Sequence, residues 1–352
     1  MDEKNTARRK DSHLDLCAVG DVEPSENSTL LDCVHFVHCA MPELGMAELA
    51  LQTAFWGKKL RYPLMITGMT GGTERAGAVN QDLGALAEKH GLAFGVGSQR
   101  AMAEDAERTK SFQVRPVAPT ALVVGNIGLR QAALMGPAGV LRLRDAIGAD
   151  GMALHLNAAQ ELTQPEGDRD FKDGYSTVKA LVGALEGRLL VKETGCGISP
   201  PVARRLAELG VRTLDVSGLG GTSWVRVEQL RAHGVAAQVG LEFSAWGIPT
   251  AAAVATVRRA VGPGVALIAS GGIRTGLDVA RCLALGADVV GMALPLFRAQ
   301  QEAGFAGAEK ALEAILQGLR QAMLLTGSAS VNALQKAPRV ITGELKDWVS
   351  SL

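Results

Sequence analysis

Along residues 63–294, short apolar runs alternate with longer amphipathic ones. The apolar runs fall at 63–68, 92–98, 120–128, 151–157, 188–195, 212–218, 265–272 and 287–294, each with glycine or a polar residue at or near its end. Near-continuous apolar runs of this length predict strands buried on both faces of a parallel sheet. Helical patterns follow most of them, as in NQDLGALAEKHG, VARRLAELG and LDVARCLALG, and glycine closes each of these three helices. Eight strand–helix units predict a (β/α)8 barrel, whose usual size is roughly 250 residues. A doubly wound open sheet is the competing architecture, but no GxGxxG follows the first strand and glycine-rich strand ends are spread along the whole chain.

The segments outside this rhythm predict the remaining organisation. Residues 1–60 precede the barrel and are expected to fold over one mouth, covering substrate. Residues 61–300 form the barrel, and 301–352 a long terminal helix, a turn and a tail around Trp348. The stretch 219–250 is long and rich in Gly, Ser and Trp, as expected of a lid or ligand loop.

Composition narrows the class. Hydrophobic residues make up 47% of the chain but aromatics only 4%, which favours an aliphatic helix-and-sheet core over a sandwich. Lys+Arg and Asp+Glu are both 36, so no global field draws the protein to nucleic acid or to a membrane surface. No apolar run reaches the ~20 residues that span a bilayer. The five cysteines form no CxxC pair and no even-numbered framework. The polar first residues lack a signal-peptide core, so a cytoplasmic location is expected.

Candidate chemistry lies at the strand ends, where barrel enzymes gather their reactive groups. HLNAAQELTQPEGDRDF, 155–171, places His155, Asn157, Gln160 and Glu161 within seven residues. That set suits a ligand carrying oxyanions and a divalent metal. The seventh strand ends in SGGIRTG and the eighth in GMAL. Loops at those two positions commonly hold a phosphate through backbone N–H groups and a helix start, with Gly271 and Gly272 letting the backbone approach the anion. Thr70, Gly71, Ser98, Asn126, Lys192 and Ser217 close other strands. One cation and several neutral donors at a barrel mouth suit a flavin, and Lys192 near its pyrimidine edge would favour the anionic reduced form. Arg9, Lys10, His13 and Arg100 could surround a diphosphate with His155, while Glu161 holds Mg2+ against it.

These motifs carry a resemblance. From RKDSH at 9–13 through FVHCAMPEL, MTGGT, VGSQR, GNIGL, HLNAAQELTQPEGDRDF, KETGCGIS, DVSGLGGTSW, WGIPT and SGGIRTG to GMALPL, nearly the whole chain resembles the type 2, flavin-dependent isopentenyl-diphosphate isomerases. HLNxxQE with QPEGDRxF, and VSGxGGTxW, are specific; SGGIR and GMA are shared by many flavin barrels. The resemblance implies that Arg9, Lys10, Ser98, Gln99, Arg100 and Gln160 contact substrate and that Glu161 holds magnesium. It implies flavin contacts at Met69, Thr70, Gly71, Ser98, Asn126, Lys192, Ser217, Thr222, Gly271, Gly272, Ile273, Arg274, Ala293 and Leu294. His13, His155, Asn157 and Trp224 match further active-site positions. Ser12 departs from the acidic residue that often precedes the histidine.

The resemblance further implies isopentenyl and dimethylallyl diphosphates as partners, NADPH as reductant for flavin mononucleotide (FMN), and a homo-oligomer, tetramer or octamer. The reaction would shift a double bond by adding one proton and removing another. Reduced flavin would act as acid and base, Gln160 would position or relay protons, and His155 and Asn157 would complete the catalytic set. Two other classes stay open at this point. A hydroxy-acid or nucleotide oxidoreductase would bring a histidine base after its late strands, or a cysteine in 219–250, and neither is present. A non-catalytic phosphate sensor would have no need of Gln160 and Glu161.

Overall fold

The computed structural model describes residues 3–23 and 28–352, with side chains from residue 9 onward in the first segment. Eight parallel strands close into a barrel: β1 (Leu64–Ile66), β2 (Ala93–Gly95), β3 (Leu122–Gly128), β4 (Gly151–His155), β5 (Leu189–Lys192), β6 (Thr213–Asp215), β7 (Ala266–Ala269) and β8 (Val289–Met292). β8 pairs with β1, which completes the ring. Every strand lies inside its predicted apolar run. The helices that cover the barrel end as their glycines require. Gly91, Gly210 and Gly286 all take positive φ, a conformation that costs glycine little and terminates a helix.

Register sets which side chains share a level. His155 on β4 lies opposite Lys192 on β5, which lies opposite Asp215 on β6, which lies opposite Ile268 on β7. Partners across a ladder point to the same side. One level near the C-terminal mouth therefore carries three ionisable residues in a row.

The first sixty residues divide between the two ends of the barrel, instead of all covering the mouth. Helix Glu3–Val19 lies across the C-terminal mouth. A hairpin, Thr53–Phe55 paired with Lys58–Leu60, plugs the opposite end. Its turn, Trp56–Gly57, has positive φ at both residues, the geometry whose twist suits a two-residue hairpin. Phe55 and Leu60 pack with Met65, Ala93, Leu122 and Leu190 inside the barrel floor, and the Trp56 indole N–H donates to Thr213 Oγ1 at 2.9 Å.

Two further expectations change. The stretch 219–250 is largely helical, with Trp224–Arg231 and Gly234–Glu242, so it is a structured cover and not a loop. The helix after β8 runs from Leu294 to Leu325, through residue 300, with non-helical backbone at Ala303 and Gly304. The tail then returns to the N-terminal segment, where Arg339–Ile341 pairs antiparallel with Val34–Phe36.

Candidate active site

One face of helix Glu3–Val19 supplies the roof of the mouth. Arg9, Lys10, His13, Leu14 and Cys17 recur at helical spacing, and all line a cavity of about 920 Å3 including its open mouth. The opposite wall comes from strand ends: Gly68, Met69 and Thr70 after β1, Ser98 and Arg100 after β2, Asn126 in β3, His155 and Asn157 at β4, and Lys192 at β5. The roof helix is tied down away from the cavity. Arg298 donates to Cys17 O and Gly20 O, both at 3.0 Å, and Arg75 pairs with Asp15 at 2.5 Å.

The cations in this cavity repel one another. Burial pushes the Lys10 ammonium down to about 8, and the charges of Arg9 and Arg100 push it the same way. Lys10 Nζ donates to the Ser98 carbonyl at 3.4 Å. Arg9 is likewise lowered by burial first and then by Arg100; its Glu166 partner is 3.7 Å away and its Nε has no hydrogen-bond partner among the described residues. Cations held this way cost stability unless an anion joins them.

His155 is held neutral. Burial, then Lys192 and Lys10, lower it to about 3. Its tautomer follows from its neighbours. The Asn126 amide nitrogen donates to Val96 O at 3.2 Å, which turns Oδ1 toward His155 Nδ1 at 2.9 Å. An amide oxygen can only accept, so Nδ1 carries the proton and Nε2 keeps its lone pair.

Beyond β4 the chain enters the short helix Ala158–Thr163. Its N-cap residue, Asn157, makes no capping bond. The Asn157 amide instead donates to Glu161 Oε1 at 2.9 Å and to Gln160 Oε1 at 3.3 Å, and Gln160 Nε2 donates to Glu228 Oε1 at 3.2 Å. The amide of Gln160 is thereby oriented at both ends. The loop QPEGDRDF then folds back as a clamp. Arg169 donates to the carbonyls of Glu161 and Gln164, and Asp168 N donates to Glu161 Oε2 at 2.8 Å. Among the described residues no three His, Cys, Asp or Glu side chains converge to hold a metal by themselves.

A second cavity of about 640 Å3, mouth included, shares Gly68, Met69, Lys192, Thr194 and Trp224 with the first. Its walls are Ser217, Thr222, residues 270–274 and residues 291–294. The two late helix starts differ. Helix Gly276–Ala284 is closed by its own capping box, Thr275 with Asp278. Helix Leu294–Leu325 begins at Ala293 with no side-chain cap, which leaves its first N–H groups open to an anion. The glycines, which line this cavity, also carry a packing task. A Cβ on Gly271 would meet Gly218 O at 2.1 Å, and one on Gly272 would meet Gly220 O at 2.5 Å, both at positive φ. They permit two loops to pack against each other.

Two expected residues stand off the cavities. Gln99 is fully buried; its Nε2 donates to Leu143 O at 2.9 Å and its Oε1 accepts from Asn126 N at 2.9 Å. Gly71 lies against the Phe112 ring, where a Cβ would come within 1.9 Å. Several residues were not read from the sequence. Glu228 is fully buried beside Gln160, with His13 Nε2 3.0 Å away, an ion contact outside hydrogen-bond geometry. With the Gln164 amide oriented to suit its neighbours, its oxygen takes Arg9 Nη1 at 2.7 Å and its nitrogen reaches Glu228 at 3.3 Å. Asp215 is buried beneath Lys192. Glu228 follows the GGTSW motif by one helical turn, the one signal that could have found it.

Residues 132–341, more than half of the chain, match the FMN-dependent dehydrogenase family. An isopentenyl-diphosphate delta-isomerase from Metallosphaera sedula is 44% identical over 351 residues, covering 97% of this chain and 94% of its own. One from Methanopyrus kandleri is 41% identical over 344 residues, covering 97% and 93%. The chain belongs to the isopentenyl-diphosphate delta-isomerase family.

Solved mandelate oxidases share the fold of this isomerase family member. One with a monooxide FMN adduct has a TM-score of 0.66 at 18% identity, covering 97% of this chain and 100% of its own. One with (S)-2-phenylpropionate has a TM-score of 0.64 at 17% identity, covering 96% and 98%. The residues of the second cavity fit a flavin mononucleotide. An uncapped helix start faces it, neutral donors line it, and Lys192 stands where the two cavities join. Position 270–274, after β7, carries no histidine, and the two histidines lining the first cavity are His13 and His155.

Proposed function

We propose that this protein interconverts isopentenyl diphosphate and dimethylallyl diphosphate, with FMN in the second cavity and the substrate in the first. The observation that carries the reading is the crowding of Arg9, Lys10 and Arg100 on one cavity beside Glu161. Arg9 and Lys10 are still lowered by their cationic neighbours, after burial, although Arg100 pairs with Glu104 at 3.0 Å and Arg9 has Glu166 at 3.7 Å. This cavity joins the second one at Lys192. A diphosphate relieves that repulsion with charge-assisted bonds, to Arg as a fork and to Lys as a point charge. Neutral His155 offers no cation until an anion arrives. The flavin, reduced by NADPH, supplies proton exchange at the alkene and an electron-rich face.

The chain's own groups are assigned around that exchange. Gln160 is held by Asn157 and Glu228 with its amide direction set, which suits positioning a proton path and not donating one, since a neutral amide is a poor acid. Burial raises Glu228, but the close contact with His13, the charge of Arg231 and the bond from Gln160 outweigh it, so the net shift is downward and the group stays ionised. An ionised carboxylate holds Gln160 in place and does not protonate an alkene. Glu161 is the proposed Mg2+ ligand, completed by diphosphate oxygens. Trp224, whose ring meets His13 edge-on at 5.2 Å, closes the roof over the reacting carbons.

Among the described residues no helix is long and apolar enough to cross a membrane. A cytoplasmic homo-oligomer, tetramer or octamer, completes the proposal. The test is direct. Reduced, flavin-loaded protein with Mg2+ should convert isopentenyl diphosphate to dimethylallyl diphosphate, with solvent deuterium entering the product. Oxidised protein without reductant should be inactive. Full activity of the oxidised form would overturn the assignment.

A further inference from the structure

Asp215 has no place in the chemistry described so far. It is fully buried at the end of β6, inside a small cavity under the join of the two larger ones, with Thr67, Asn126, Leu190 and Lys192. One carboxylate oxygen is fully engaged. Oδ1 accepts from Ser270 Oγ at 2.6 Å and from Ser217 N at 3.1 Å. Oδ2 has no hydrogen-bond partner among the described residues. A buried carboxylate oxygen left bare is costly and calls for a nearby positive charge.

The groups around Lys192 are few. Asp215 lies opposite it in the ladder on one side and His155 on the other. Glu193 follows it in the chain, but its Oε2 is taken by three backbone N–H groups, of Thr194, Gly195 and Cys196, at 2.5–2.7 Å. Lys10, on the roof helix, lines the same cavity, and after burial both lysines lower His155 between them. Lys192 Nζ donates to Glu193 O at 2.5 Å. Among these, Asp215 is the acid that lies across the ladder from Lys192 and keeps a buried oxygen without a hydrogen-bond partner among the described residues.

We propose that Asp215 is a positioning residue that keeps Lys192 as an ammonium where the substrate and flavin cavities join. Ser270 and the Ser217 amide fix Oδ1, and Oδ2 stays free to act on the ammonium through charge across the ladder, without a direct hydrogen bond. Burial lowers Lys192, with Asp215 the first opposing charge and Glu193 the second. Without Asp215, burial prevails and the amine loses its proton more readily. Ser217 adds a structural link. It holds the left-handed φ of 38° while its amide bonds Asp215, so the same carboxylate shapes a wall of the flavin cavity.

The proposal rests on the second cavity holding FMN, and its test separates the two. Wild-type protein that takes up no FMN overturns both readings. In flavin-loaded protein, the midpoint potential is measured from around neutral pH to about pH 9, close to the ordinary lysine range. Reduction puts negative charge on the flavin, so losing a nearby cation lowers the potential and losing a nearby anion raises it. If Asp215 keeps Lys192 charged, Asp215→Asn lowers the potential, increasingly as pH rises, in the direction of Lys192→Met. Adding it to Lys192→Met lowers the potential no further. In a Lys192→Arg background, whose guanidinium cannot lose its proton, Asp215→Asn raises the potential instead. An upward shift or none in the Asp215→Asn single variant, with FMN still bound, overturns the proposal. Should that variant fail to fold, Ser270→Ala keeps the carboxylate but frees Oδ1. A smaller downward shift supports the role, and an upward shift or none overturns it.

Discussion

The two ends of this barrel bury charge by opposite rules. At the floor, Asp150 accepts from Lys58 at 3.0 Å, from Arg115 at 2.8 Å and from Val123 N at 2.8 Å. Burial raises its carboxyl, but those bonds outweigh it and the net shift is downward. Around it, Phe55 and Leu60 fill the floor with apolar contact. At the mouth, Lys10, Lys192 and Arg9 are all lowered by burial, and Arg9 Nε and Asp215 Oδ2 have no hydrogen-bond partner among the described residues. The floor is complete as a folded structure. The mouth is complete only with anions in it, so it gives up stability to hold groups ready for a ligand.

Substitutions at the two ends should therefore fail in different ways, and the largest effect belongs to the floor. Phe55→Ala should cost about 3–5 kcal/mol, as large aromatic truncations in cores do, while turnover per folded molecule stays unchanged. Urea unfolding and active-site titration measure the two quantities. A normal unfolding midpoint with reduced turnover would break the comparison.

At the mouth, Glu161→Gln should act the other way. Removing one charge-assisted contact costs about 1.5–3 kcal/mol, or roughly ten- to a hundredfold in rate. FMN affinity and the unfolding midpoint should hold, because the proposed phosphate site lies on other loops. A Mg2+ titration identical to the wild type would place the metal elsewhere. Arg9→Ala, by comparison, should mainly raise the substrate concentration needed for half-maximal rate.

His155 sharpens the contrast through pH. It titrates at about 3 in the folded protein and near 6.5 when unfolded. Between those values the unfolded chain holds a proton that the folded chain does not, so stability falls as pH falls through that window. His155→Gln should flatten this part of the stability curve. A ring signal from His155 that titrates between pH 5 and 8 in substrate-free protein would contradict its burial as a neutral group.

Asp150 gives the smallest effect and the opposite signature. Its folded pKa is depressed, so its contribution is present above the unfolded value, near 3.9, and is lost as pH falls through the folded one. Lys58→Met should cost about 1 kcal/mol or less near neutrality, since Lys58 is partly exposed, and the loss should shrink in acid. A loss independent of pH would mean packing, not charge.

Much of this was legible in the residues. Apolar run length and closing glycines located all eight strands because burial on both faces leaves no polar alternation to confuse the period. His155, Asn157, Gln160 and Glu161 were legible for a similar reason. A strand end followed by one helical turn brings them together locally, whatever the rest of the chain does. The hairpin at 53–60 was not, because its strands are three residues long and its turn uses Trp56 in a left-handed conformation that this residue seldom takes. Gln99 stood one residue from Ser98 and Arg100, yet it turns away from the cavities to bond Leu143 on the covering helix and the β3 backbone at Asn126. Neighbours in sequence at a strand end point to different sides.

The chain alone thus determined the barrel, the order of its strands and the local constellation after β4, since these depend on periodicity and on contacts a few residues apart. Only the tertiary structure decided that the N-terminal segment divides between roof and floor, that Glu228 meets Gln160, and that Asp215 sits beneath Lys192. The first depends on which apolar surface each piece can bury. The other two depend on strand register and helix docking, which join residues 68 and 23 positions apart through contacts that no local pattern encodes.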